Sequence, residues 1–160
     1  LLRSGGTTLS TAESCTGGLL AGRITDVPGS SDYFKGTVVA YDNEVKKSIL
    51  GVSKEALDKH GAVSKEVAIE MARGVAKALG TDYALSTTGI AGPGGGTPEK
   101  PVGTIWIGFW SNDEELAIKL QLTKDRLINR EQTVVIALDL LRRRLNGIET
   151  LPYHLKPEFA

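Results

Sequence analysis

The segment 102–110 reads Val-Gly-Thr-Ile-Trp-Ile-Gly-Phe-Trp, nine residues without a charge. A strand of that composition has no face to give to water, so it needs cover on both sides. The rest of the chain must therefore supply helices to two layers. With 160 residues, 41% of them hydrophobic, there is material for one such core and too little for two.

The flanking pattern agrees. Thr8–Ala12 is a short β-prone stretch, and Gly36–Tyr41 and Tyr83–Thr87 read as further strands. Leu116, Ile118, Leu120 and Leu122 alternate with polar residues, which predicts a strand with one face exposed. Only Ser111–Glu114 separates it from the apolar run, so that pair is expected to be an antiparallel hairpin. Leu20, Ile24 and Val27 mark a helix closed by Pro28-Gly29. Two more helices are expected to start from serine caps at Ser53 and Ser64, the longer presenting Val67, Met71, Val75 and Leu79. A last long helix carries Val134, Leu138, Leu141 and Leu145. Strands separated by helices, plus one hairpin, give a mixed sheet with helices on both faces. One domain is expected over 1–147, with 148–160 as a C-terminal tail.

Charge narrows the partners. Nineteen basic side chains balance nineteen acidic ones, without the surplus that phosphate neutralisation by a general nucleic-acid binder needs. No apolar run approaches the ~20 residues that span a bilayer, and no basic-then-apolar leader is expected from these residues. Cys15 is the single cysteine, so no internal disulfide forms and a reducing, cytoplasmic setting is expected. The chain begins at Leu1 and not Met, so an upstream portion is expected to be missing. No His/Cys cluster has metal-ligand spacing, and no cofactor is expected.

Three polar segments end strands, where α/β sheets bind ligands. Ser14, in Glu13–Gly18, sits where a strand turns into a helix, beside amides that favour negative charge; it could equally be a helix cap. Lys46 follows the second strand. It could be an ordinary solvated lysine or, desolvated, a base for a serine. The loop from Thr88 to Gly96 could present amides to a ligand or be merely structural. It is neither a Walker A loop nor a Rossmann fingerprint. His60 is expected on a helix end and His154 in the tail, which disfavours a Ser-His-Asp triad, and Cys15 has no histidine partner. Arg126 and Arg130 could grip a phosphate, but surface pairs with Asp125 and Glu131 are the favoured expectation.

Taken together, Thr11-Ala12-Glu13-Ser14-Cys15-Thr16-Gly17-Gly18, Pro28-Gly29-Ser30-Ser31, Tyr41-Asp42-Asn43-Glu44 with Lys46, His60-Gly61-Ala62-Val63-Ser64, Thr88-Gly89-Ile90-Ala91-Gly92-Pro93 and Lys100-Pro101-Val102-Gly103-Thr104 resemble the CinA C-terminal domain. Asp125-Arg126 with Arg130 echoes its final motif, and the likeness runs from about Thr8 to Leu145. The resemblance implies a three-layer α/β/α sandwich on a mixed, mostly parallel sheet. It implies nicotinamide-nucleotide amidase activity, converting nicotinamide mononucleotide to nicotinic acid mononucleotide and ammonia in pyridine nucleotide salvage. Carried over by position, the nucleophile falls on Ser14, the base on Lys46 and a supporting hydroxyl on Thr88. Substrate contacts are expected from Glu13, Thr16, Gly17, Gly18, Tyr41, Asn43, Gly89, Gly92, Gly94, Arg126 and Arg130, with an oxyanion hole around Thr16–Gly18. A homo-oligomer is expected as well. Two runners-up are a non-catalytic nucleotide-binding or regulatory module and a competence-related protein. Lys124 replaces the glycine usual before Asp125-Arg126 in this family, which raises the question of a special backbone angle there.

Overall fold

The computed structural model describes residues 1–154. Its sheet has five strands: β1 (Leu9–Glu13), β2 (Phe34–Val39), β3 (Tyr83–Gly89), β4 (Thr104–Ser111) and β5 (Glu115–Gln121). They lie in the order β2-β1-β3-β4-β5. β1 is parallel to β2 and β3, while β4 is antiparallel to both β3 and β5. Four strands thus run one way and β4 alone runs against them. β4 holds the apolar run, in the interior of the sheet as its composition requires. The loop from Ile90 to Gly103 brings the chain back at the end where β3 leaves, since Gly89 pairs with Ile105.

Two layers of helix cover the sheet. On one face, α1 (Leu2–Gly5), α2 (Leu19–Thr25) and α6 (Arg126–Leu145) bury Leu20, Ile24, Val134 and Leu140 against Leu85, Ile107, Phe109 and Ile118. On the other, α3 (Asn43–Leu50), α4 (Lys54–His60) and α5 (Lys65–Leu79) bury Leu50, Val67, Met71 and Val75 against Ala12 and Ala84. The result is a three-layer α/β/α sandwich. Ser53 and Ser64 cap α4 and α5 as expected, accepting from the amides of Ala56 and Val67. No helix among the described residues is long and apolar enough to cross a membrane.

Some boundaries differ from the sequence reading. Val27 lies beyond α2 and is half exposed, because the residue before Pro28 is pushed away from helical angles. β2 ends at Val39, two residues early, and the freed carbonyls of Ala40 and Tyr41 turn to Lys46. α3 went unread because its pattern is inverted: Lys46 and Leu50 are buried while Ile49 is exposed. The expected tail partly folds back. Leu151 packs on the core, Pro152 is buried, and Pro152–His154 forms a 3₁₀ turn. The remainder of the expected appendage, 155–160, lies outside the described residues.

α5 (Lys65–Leu79) sits close to the end of α3 because Gly74 has no side chain to hold them apart. A Cβ on Gly74 of α5 would fall 1.9 Å from the carbonyl oxygen of Leu50. Gly→Ala inside a helix ordinarily stabilises by about 0.5–1 kcal/mol. Here the collision is with main chain and outweighs that gain. Gly74→Ala is expected to destabilise the protein by about 1–3 kcal/mol, read as a lowered midpoint in urea unfolding; a raised midpoint would contradict this packing.

Candidate active site

Alternation along β1 decides which side chains meet. Successive residues of a strand point to opposite faces. Glu13 points into the α2 side and Ser14 into the α3–α5 side, and the two serve different ends. The ladder continues one residue past the strand, with the Ser14 amide donating to Thr87 O at 2.9 Å. This fixes Ser14 at the carboxyl end of the three parallel strands. Successive connections there depart to opposite sides of β1, the usual location of an α/β ligand crevice.

Lys46 arrives from α3. Asp42 caps that helix by accepting from the Glu44 amide, and the Ala40 amide is tied to Glu13 O at 2.8 Å, so the start of α3 is anchored to β1. Lys46 is 2% exposed. Its Nζ lies 2.8 Å from Ala40 O, 3.4 Å from Tyr41 O and 3.3 Å from Ser14 Oγ. Burial lowers its pKa below the usual lysine range, against the opposing pull of Asp42. The neighbours suit a neutral amine. Two N–H bonds serve the two carbonyls, which can only accept, and the lone pair is left for the serine hydroxyl, which can donate.

Ser14 and Lys46 open into a cleft of about 210 Å³. Of the residues singled out in the sequence, Thr88, Gly89, Tyr41, Asn43 and Arg126 line it with them. The Arg126 guanidinium donates to Gly92 O at 2.8 Å and to the Tyr41 hydroxyl at 2.9 Å, bridging the two sides of the mouth. Thr88 does not hold Ser14 or Lys46 as expected; its hydroxyl donates to Ala62 O at 2.7 Å and fixes the segment before α5. That segment's Ala62 and Val63 also line the cleft. Both lie inside a quoted motif, but small apolar side chains carry no chemical signal that assigns them a role.

Several expected contacts lie elsewhere. Glu13 is fully buried, and its carboxyl group accepts from the Thr16 hydroxyl (2.6 Å) and the amides of Gly18 (2.9 Å), Leu20 (3.0 Å) and Ala21 (2.7 Å). It caps α2 and shapes the turn above Ser14. Thr16 is also buried, its hydroxyl shared with Thr87. Gly17 and Gly18 are needed for positive φ in that turn (60° and 96°). Their amides are already engaged, by Ser14 O and Glu13, which removes them from an oxyanion hole. The amides of Cys15 and Thr16 donate to no main-chain carbonyl among the described residues.

Gly92 and Gly94 do not line the cleft; Gly92 contributes its carbonyl to Arg126. Arg130 donates to Thr16 O at 2.8 Å and so braces the turn from behind. The expected surface pairs are absent: Asp125 caps α6 through the amides of Leu127 and Ile128, and Glu131 pairs with Arg23. Asn129, missed in the sequence, is buried and ties Ala91 O and Thr123 O together. Lys124 has no positive φ, so the glycine usual there is not required by backbone angle. Burial pushes the Cys15 thiol up to about 12, which leaves it an un-ionised wall of the cleft. Among the described residues no group of three or more His, Cys, Asp or Glu is gathered to hold a metal ion. A larger concavity of about 550 Å³ lies between α1, α2 and α6, lined chiefly by Leu2, Leu9, Ile24 and Leu141; no serine–lysine pair opens into it.

Comparison with known proteins places the fold in a family. The family model for the CinA C-terminal domain matches residues 1–145. The chain belongs to the CinA family. It is 52% identical over 145 residues to a CinA-like protein of Salinibacter ruber, covering 91% of this chain and 35% of that one. A CinA-like protein of Kosmotoga olearia is 56% identical over 145 residues, again 91% of this chain and 35% of the other. The chain thus spans about a third of the length of these curated relatives. Among solved structures, the competence/damage inducible protein CihA from Agrobacterium tumefaciens superposes with a TM-score of 0.87 at 40% identity, covering 91% of this chain and 88% of that one. A CinA superfamily protein from Klebsiella pneumoniae superposes equally well, at 0.87 and 33% identity, with 91% of each chain covered.

Proposed function

We propose that this CinA domain is a cytoplasmic amidase that converts nicotinamide mononucleotide to nicotinic acid mononucleotide and ammonia in pyridine nucleotide salvage. One observation carries the chemistry: a buried lysine amine stands 3.3 Å from a serine hydroxyl that opens into a cleft. The choice of substrate follows the activity characterised for the family.

Neutral Lys46 takes the Ser14 proton as Ser14 Oγ adds to the carboxamide carbon. The amides of Cys15 and Thr16, next in the chain and outside the turn's own main-chain bonds, are the proposed donors to the oxyanion. The ammonium of Lys46 then returns its proton to the departing nitrogen, which leaves as ammonia, and an ester remains on Ser14. Water adds to the ester, Lys46 accepts its proton, and the same proton restores the Ser14 hydroxyl as the acid leaves. Activity needs Lys46 unprotonated, so the rate is expected to fall as pH drops below its depressed pKa.

The test is direct. Purified protein incubated with nicotinamide mononucleotide is expected to release ammonia and nicotinic acid mononucleotide in equal amounts, resolved by chromatography. Folded protein that forms neither product would remove the proposal.

A further inference from the structure

Beside the catalytic cleft lies a second one, of about 540 Å³, and the two share Val63 as a common wall. The sheet continues from one to the other. Thr88 of β3, in the catalytic cleft, pairs with Trp106 of β4, which pairs in turn with Lys119 of β5; Trp106 and Lys119 line the second cleft. Lys59 and His60 at the end of α4, Lys65 and Glu66 at the start of α5, and Glu99 and Lys100 of the long loop surround it. Four lysines and two glutamates thus line it, and Glu66 is drawn to His60 at 3.6 Å. Lys100 is set in place, its Nζ donating to His60 O at 2.6 Å and its amide to Thr97 Oγ1 at 3.0 Å.

Size points the same way. Sites that enclose small-molecule ligands run to about 300–1,000 Å³, and the catalytic cleft at 210 Å³ falls short of that range by itself. It has room for an aromatic carboxamide, and the rest of a nucleotide must leave it. Arg126 bridges Gly92 O and Tyr41 at the mouth of the catalytic cleft, and Arg130 braces Thr16 O behind the turn. We infer that the lysine-lined cleft beside Trp106 is the subsite for the phosphoryl group of the substrate whose amide reacts at Ser14. This rests on the amidase reading above and moves the phosphate away from the two arginines.

Lys59 and Lys119 lie outside the catalytic machinery, so the double variant Lys59→Gln, Lys119→Gln tests the inference. It is expected to raise KM for nicotinamide mononucleotide about tenfold with kcat kept, and to leave KM for nicotinamide riboside, which lacks the phosphate, unchanged. Equal effects on both substrates, or none on the mononucleotide, would overturn it. Independently of turnover, inorganic phosphate is expected to change the tryptophan fluorescence of the wild type saturably, and to do so no longer in the double variant or in Trp106→Phe. No saturable change in the wild type would overturn the site. A saturable change in a protein that hydrolyses neither amide would remove the amidase reading and leave the anion site standing.

Discussion

Lys46→Met is expected to lower amidase turnover by about 10²–10⁴-fold, the range typical of losing a positioned general base. Methionine keeps the unbranched apolar stem of the side chain and lacks only its terminal amine, so the packing under α3 survives while the proton acceptor is gone. The loss is expected in kcat and kcat/KM together, because the amine acts on the reacting atoms and not on substrate binding. A second signature separates this from a folding defect. Burial depresses the Lys46 pKa, so in the window between that value and the ordinary lysine value near 10.5 the unfolded chain binds more protons than the folded one. The wild type therefore gains stability as pH rises through the window, and the variant does not. Denaturation at several alkaline pH values is expected to show the stability difference shifting against Lys46→Met as pH increases. A variant that keeps near-normal turnover would remove Lys46 from the mechanism. A pH-independent stability difference would mean that the amine is not desolvated.

Glu13→Ala is expected to be the most damaging single change to stability near the site. The carboxyl group satisfies three main-chain amides and the Thr16 hydroxyl in a fully buried position. Without it, those amides at the start of α2 have no acceptor, at about 1–3 kcal/mol for each donor left buried and unpaired. Relaxation and entering water recover part of that, and a net loss of about 3–5 kcal/mol is expected. Glu13→Gln is the sharper probe. Donors approach both oxygens, so either orientation of the amide sets its NH₂ against at least one N–H. It is expected to fall between wild type and alanine in urea unfolding, and to slow turnover because the turn above Ser14 loosens. A glutamine variant as stable as the wild type would mean that the turn is held by Arg130 and the glycines alone.

Much of the sheet was legible because its strands carry their burial in their composition. The β4 run demanded two covering layers, and the hairpin to β5 followed from a short loop. α3 was not legible, because its burial pattern is inverted. Its inward face carries a lysine and its outward face an isoleucine, so a rule that sends apolar residues inward misreads it. The same inversion hid the setting of Lys46, whose partners Ser14, Ala40 and Tyr41 lie just past the ends of β1 and β2. Glu13 illustrates a different limit. Adjacent to Ser14 in a single motif, it invited a ligand-binding role, yet strand alternation turns it to the opposite face. Arg130 and Thr16 likewise belong to the scaffold of the turn, which only their three-dimensional partners reveal. Ser14, Lys46, Tyr41, Asn43, Gly89 and Arg126 do converge on one cleft, while Thr88 joins them with its hydroxyl directed to Ala62.

The most direct measurement is ammonia release from nicotinamide mononucleotide by the wild type and by Ser14→Ala side by side, with unfolding curves for both. The expected result is turnover by the wild type, none detectable in the variant, and closely matching curves. Equal turnover by the two proteins would contradict the account, leaving Ser14 as no more than the residue where β1 turns toward α2.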